Sequence, residues 1–196
     1  MNNKKNKLND ALNNLEKGNL IIYPTDTLYG LGADATNTLA VQKINALKKR
    51  KSPLSIMVQS IDEIQKYAIV NQNKINTIKK ILPGPFTVLL KTKKSNLSHL
   101  IDNGTNKIGI RIPNNKFCLK LLKKYKKPIV TTSVNIHGKP ALNKVDEIKK
   151  VFFNIYIYEE QINENSKGST IIDFTIDPLK IIREGDGKHH IHYENI

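Results

Sequence analysis

With a single cysteine, Cys118, the chain has no disulfide framework to hold it together. It needs none, because 196 residues fit one domain, expected to span 1–196 with a core over about 8–187, that buries roughly 70% of the surface its unfolded form exposes. No apolar run approaches the roughly 20 residues a membrane helix needs, and the start, MNNKKNKLND, is basic without the apolar core of a secretory leader. The expectation is a soluble, cytoplasmic protein with no membrane partner. Acids are scarce: 17 Asp plus Glu against 32 Lys plus Arg give a formal charge of +15, a field that favours nucleotides or nucleic acid. Lys, Asn and Ile are abundant throughout, as a biased genome composition would also produce. Arginine is the scarcer cation, present only as Arg50, Arg111 and Arg183, and its planar fork is the better bidentate partner for carboxylate or phosphate.

Strand and helix patterns interleave without repeat or linker, which points to one α/β sandwich with a mixed sheet. Leu8, Leu12 and Leu15 predict a helix over 6–17 that stops at Gly18. The stretch LIIYPTDTLYGLGADA, Leu20 to Ala35, passes from a buried strand over 20–23 to an exposed loop read as a substrate floor, with Gly30 and Gly32 in a close turn. Asn37 or Thr38 can cap a second helix that turns Val41, Ile44 and Leu47 inward and ends on Lys48, Lys49 and Arg50. Further strands are expected at 54–58, 86–91, 107–112, 128–132, 170–174 and 179–182. Further helices are expected after Ser60, through Ile75, Ile78 and Ile81, up to Tyr125, and over 146–151. Residues 159–167 read as a mobile polar loop. In the 107–112 strand, Ile108, Ile110 and Ile112 alternate with Gly109 and Arg111, so packed isoleucines turn Arg111 into a cleft.

Several chemistries lack their residues. Gly30 to Ala35 matches the dinucleotide pattern G-x-G-x-x-G/A in form, but PTDTLY separates it from the strand. Arg50, Lys51 and Ser52 stand where a ribose-binding acid belongs. No Walker A spacing exists. Cys118 falls inside an apolar helix, His99 and His137 are isolated, and His189, His190 and His192 lack spaced partners, so neither a metal site nor a nucleophilic triad is indicated. An enzyme made of such parts works by positioning and charge neutralisation, as phosphoryl and nucleotidyl transfer mostly do.

The blocks PTDTLYGLGADA, Lys48-Lys49-Arg50, PGPFTVLL (83–90), GIRIP (109–113), TTSVNIHGKP (131–140), STIID (169–173) and REG (183–185) together resemble the YrdC-like family, the L-threonylcarbamoyladenylate synthases. The likeness runs in order from about Leu8 to Gly187. It implies an α/β (α+β type), three-layer fold whose twisted mixed sheet surrounds a positively charged groove. The implied reaction joins ATP, L-threonine and bicarbonate or CO2 into threonylcarbamoyl-AMP and pyrophosphate. The implied partner is a tRNA-modifying threonylcarbamoyl-transferase complex that delivers the group to adenosine 37 of tRNA. Carried over by position, Thr27, Arg111, Thr131 and Ser169 fall where the family binds threonine. Lys48, Arg50, Ser133, Asn135 and Arg183 fall where it binds ATP, and Lys48 and Arg50 are the implied catalytic pair. Mg2+ is expected to ride mainly on the ATP phosphates, since Asp26 and Asp34 are the only nearby acids and neither has ligand spacing.

Two departures from the family pattern stand out. Only Lys51 and Ser52 separate Arg50 from Pro53, where the family usually runs Pro-x-x-Lys-Pro, and Met57 lies where members often carry His or another polar group. The longer two-domain members add a C-terminal domain beyond the likeness. A module that contacts tRNA or double-stranded RNA without catalysis is one alternative, though aromatics are only 6% of the chain and no RNP1-like motif is present. A carbamoyl-phosphate-using domain like those in hydrogenase-maturation proteins is another, but those usually sit in longer chains with zinc-finger-like cysteines.

Overall fold

The computed structural model describes residues 2–49, 53–136 and 138–187. Arg50, Lys51, Ser52, His137, His189, His190 and His192, named above, lie outside them. In chain order the elements are α1 (Asn2–Glu16), β1 (Ile21–Pro24), β2 (Tyr29–Gly32), α2 (Thr38–Lys48), β3 (Ser55–Met57), α3 (Ile61–Tyr67), β4 (Ala68–Ile69) and α4 (Gln72–Ile81). There follow β5 (Phe86–Thr92), β6 (Lys107–Arg111), α5 (Lys116–Tyr125), β7 (Ile129–Ser133), α6 (Val145–Val151), β8 (Tyr156–Ile157), β9 (Thr170–Asp173) and β10 (Lys180–Arg183). The strands form an open, twisted sheet in the order β10-β9-β5-β6-β3-β7-β2-β1-β8, with β4 added against β5. It is mixed: β3 runs parallel to β6, β5 to β9 and β1 to β8, while the other pairs are antiparallel.

Side-chain alternation along the strands makes three layers. Ile56 and Val130 point to one side, where with Val88, Ile110 and Ile172 they meet Ala40, Val41 and Ile44 of α2 and Ile64 and Ile78 of α3 and α4. Their neighbours Met57 and Ile129 point the other way and join Ile21 and Tyr23 under Leu8, Ala11 and Leu15 of α1 and Phe117, Leu121 and Leu122 of α5. A third cluster seats Ile148 of α6 and Phe152 on Ile22, Tyr29 and Leu31. Among the described residues no helix is long and apolar enough to cross a membrane.

The helices and longer strands fall close to their expected places, and the differences have local causes. Leu47 is 39% exposed while Lys48 is 4% exposed, so the inward position at the end of α2 belongs to the lysine. Residues 29–35 are buried rather than exposed, and Gly30 and Gly32 lie in strand β2 rather than in a turn. What they allow is close packing: a Cβ on Gly32 would stand 2.6 Å from the Tyr23 ring and 2.8 Å from the Val130 carbonyl. The polar segment 159–167 is irregular but fastened. Tyr29 donates its hydroxyl to the Glu160 carbonyl, and Asp186 accepts from Ser166 Oγ and, at 2.8 Å, from the Lys167 N–H. β4 and β8 carry no signal in the sequence, since two residues show no period.

Candidate functional site

The sheet face that α1 and α5 cover at Met57 and Ile129 is left bare two residues earlier on β3 and two residues later on β7, at Ser55 and Thr131. On neighbouring strands the bare part continues as Thr87, Arg111 and Ile171. Small hydroxyl residues stand here in place of the aliphatic ones that fill the covered part. Gly109 belongs to the same surface, because a Cβ there would meet Ser55 Oγ at 2.3 Å and Thr87 Cγ2 at 3.2 Å. The floor is therefore polar and tightly drawn. Walls from the β1–β2 turn, the end of β7 and the β9–β10 pair raise it into a cleft of about 650 Å³, part of it open to solvent.

One wall is the turn after β1. Thr25 Oγ1 donates to the Leu28 carbonyl at 2.6 Å and lies 3.1 Å from Thr27 Oγ1, while the Thr27 N–H points to Thr25 Oγ1 at 3.1 Å. This self-bonded loop brings Thr27 within 3.4 Å of Nη1 of Arg111 and Asp26 within 2.5 Å of Nη2. The opposite wall joins β5, β9 and β10. Thr87 Oγ1 and Ser169 Oγ are 2.8 Å apart, and Arg183 Nη2 reaches the Ser169 carbonyl at 2.7 Å and its hydroxyl at 3.2 Å. At the end of β7, Ser133 Oγ donates to Asn135 Oδ1 at 3.0 Å. Behind that turn the buried Lys48 Nζ donates to the Ser133 carbonyl at 2.8 Å and to Asn135 Oδ1.

Of the residues singled out from the sequence, Thr27, Arg111, Thr131, Ser133, Ser169 and Arg183 share this one cleft. Lys48 and Asn135 attach to it through Ser133, and Arg50 lies outside the described residues. Sequence reading did not pick out Ser55 or Thr87; Thr25 and Asp26 stand in it only as neighbours of Thr27 in PTDT, with Asp26 weighed as a magnesium ligand and set aside. Thr87 was in reach of it, since it stands in PGPFTVLL where alternation from the buried Phe86 and Val88 turns it to the other face.

The described cleft wall contains no Cys, His, Asp or Glu. Nearby, Cys118 is buried and donates to the Pro24 carbonyl at 3.3 Å, and burial pushes its thiol well above the ordinary range, so it stays protonated. Burial raises Tyr23 as well. Asp34 is engaged elsewhere: burial alone would raise its pKa, but hydrogen bonds from Thr36, Tyr125 and Lys127 hold it below the ordinary value. Among the described residues no three His, Cys, Asp or Glu side chains converge as a metal site. The described wall thus offers hydroxyls and guanidinium groups, with no carboxylate, thiol or imidazole beside them to activate a hydroxyl as a nucleophile.

Fold and site thus define an α/β protein with a cleft lined by hydroxyls and two guanidinium groups on the bare part of an open mixed sheet. The chain belongs to the Sua5, YciO and YrdC family, whose family model, described as "Telomere recombination", matches residues 13–185. It is 42% identical over 172 residues to a Methanocaldococcus jannaschii protein provisionally named threonylcarbamoyl-AMP synthase, a match covering 86% of this chain and 80% of that one. It is 30% identical over 198 residues to the threonylcarbamoyl-AMP synthase of Psychromonas ingrahamii, covering 94% of this chain and 96% of that one. Among solved structures, Pyrococcus abyssi Sua5 complexed with L-threonine superposes with a TM-score of 0.84 at 29% identity, over 91% of this chain. The chain corresponds to 54% of that longer protein.

Proposed function

We propose that this protein is an L-threonylcarbamoyladenylate synthase, a nucleotidyltransferase that makes threonylcarbamoyl-AMP and pyrophosphate from ATP, L-threonine and bicarbonate or CO2. The observation that carries the reading is the cleft itself. Segments far apart in sequence deliver hydroxyls and two guanidinium groups to one pocket whose described wall bears no acid, thiol or imidazole. Relatives named for this synthesis, and a threonine-bound relative of the same fold, agree with it.

On this reading Arg111 and Thr27 hold the threonine carboxylate, and Thr131 and Ser169 line the rest of the amino-acid site. Ser133, Asn135 and Arg183 engage ATP, and Lys48 and Arg50 offset charge as pyrophosphate departs. The threonine amine forms its N–C bond to CO2 and gives up a proton to solvent. A carbamate oxygen then bonds to the α-phosphorus as the bond to the β-phosphate oxygen breaks. Both nucleophiles come from the substrates, so the protein's part is proximity and charge stabilisation. The Asp26 and Asp34 carboxylates are already engaged by Arg111 and by Thr36, Tyr125 and Lys127, so neither is open to a resident metal, and Mg2+ enters with the nucleotide. The product passes to a tRNA-modifying threonylcarbamoyl-transferase in the cytoplasm, and residues 1–196 act as one YrdC-like unit.

The test is pyrophosphate release from MgATP with each amino acid in turn, with and without bicarbonate. Release that depends on both threonine and bicarbonate is expected; release no greater with threonine than with serine would overturn the assignment. RNA retention without ATP turnover would favour a non-catalytic RNA-binding module instead.

A further inference from the structure

Asp26 has no part in the reactions described above, yet it is one of the most constrained charges in the molecule. Its side chain is 9% exposed and that of Arg111 7% exposed, so the two opposite charges leave water together. Oδ1 accepts from Arg111 Nη2 at 2.5 Å, and Oδ2 accepts the backbone N–H of Asn114 at 3.1 Å, just past the end of β6. A carboxylate held at both oxygens cannot turn without losing a bond. The loop that carries it is braced as well, by the Thr25 bonds to Leu28 and Thr27.

The consequence falls on Arg111. A guanidinium is a planar fork of five N–H donors, so fixing one of its amino groups fixes the direction of the others. Asp26 takes Nη2, Nη1 lies 3.4 Å from Thr27 Oγ1, and Nε is buried without an acceptor. Nη1 is the amino group that lies beside the hydroxyl of Thr27, a residue that lines the cleft. We propose that Asp26 is a positioning residue, which locks the Arg111 guanidinium so that Nη1 and Thr27 Oγ1 together meet the carboxylate of the amino-acid substrate. Because Asp26 is tethered to Asn114 from outside the cleft, it orients the arginine and does not compete with the substrate for it. The inference takes the substrate's identity from the synthase reading; the pairing itself stands apart from it.

The chain has three arginines, so guanidinium signals in a 15N NMR spectrum of the full-length protein are few and assignable by substitution. In the parent, the Arg111 Nη signals are expected to be resolved by restricted rotation. In Asp26→Asn they are expected to merge, with the threonine KM rising about tenfold or more, as for loss of a charge-assisted bond, while the ATP KM stays within about twofold. Asp26→Glu, which keeps the charge on a longer arm, shifts the same readouts by less and stands in if Asp26→Asn does not fold. An unaltered Arg111 spectrum overturns the inference, and so does a threonine KM that is unchanged or lowered. If the parent shows no threonine-dependent pyrophosphate release, the synthase reading falls while the spectrum still decides the pairing.

Discussion

The ammonium of Lys48 donates to the carbonyl of Ser133 at 2.8 Å, which fastens the last turn of α2 to the end of β7. The same nitrogen reaches Asn135 Oδ1, which also accepts from Ser133 Oγ, so one buried cation organises the turn that faces the cleft. Lys48→Met keeps the length and removes the charge. It is expected to cost about 1–3 kcal/mol in a urea melt, because two partly buried acceptors lose their donor, and to lower kcat by roughly 10²-fold. Near-native kcat in a folded variant would assign Lys48 a structural role alone.

Ser169 shares its hydroxyl with Thr87 at 2.8 Å and with Arg183 at 3.2 Å. Because the three form one network, a double-mutant cycle of Ser169→Ala and Thr87→Val is expected to show a coupling of about 0.5–3 kcal/mol in stability. Each single variant should also weaken threonine saturation. Strict additivity would mean the hydroxyls act separately.

At Gly109 a methyl group has no room. Gly109→Ala places a Cβ 2.3 Å from Ser55 Oγ, so about 1–3 kcal/mol of destabilisation is expected from overpacking. Both the amino-acid and nucleotide KM values should rise as the floor lifts. Adding Ser55→Gly removes the atoms in the way and should return part of both losses, measured by melting temperature and saturation kinetics.

Acid should loosen the protein through two carboxylates. Hydrogen bonds overcome the effect of burial and hold Asp34 and Asp173 below their ordinary value of 3.8, Asp34 through Thr36, Tyr125 and Lys127 and Asp173 through Thr175 and Lys107. A depressed folded-state pKa contributes stability that is complete above the unfolded value and lost as pH falls through the folded one. The urea midpoint is therefore expected to hold from pH 7 to about 5 and to drop below about 4. Asp34→Asn should be less stable at neutral pH and show a shallower drop.

Much of this was legible because periodicity reports burial. Ile108 and Ile110 against Gly109 and Arg111 place the arginine on the face opposite the isoleucines by alternation alone, and the stripes Ile75, Ile78, Ile81 and Phe117, Leu121, Leu122 mark α4 and α5. What failed depended on distant partners. Lys48 reads as a helix-end cation and Leu47 as a core residue until Ser133, 85 residues on, supplies a carbonyl for the lysine. Gly30 and Gly32 read as a turn because the Tyr23 ring that crowds them is a fact of strand pairing. Asp26 reads only as an acid near the substrate loop without ligand spacing, since nothing local announces an arginine 85 positions away.

The pairing of β5 with β9 sets Thr87 beside Ile171 and brings Ser169 to Thr87 across 82 residues of chain. A nascent chain on the ribosome therefore carries Thr27, Arg111 and Thr131 long before it carries the edge that closes the pocket. Until Ser169 and Arg183 emerge, the half-built sheet lacks one wall of the cleft, so a ligand that needs every wall can select only the finished molecule.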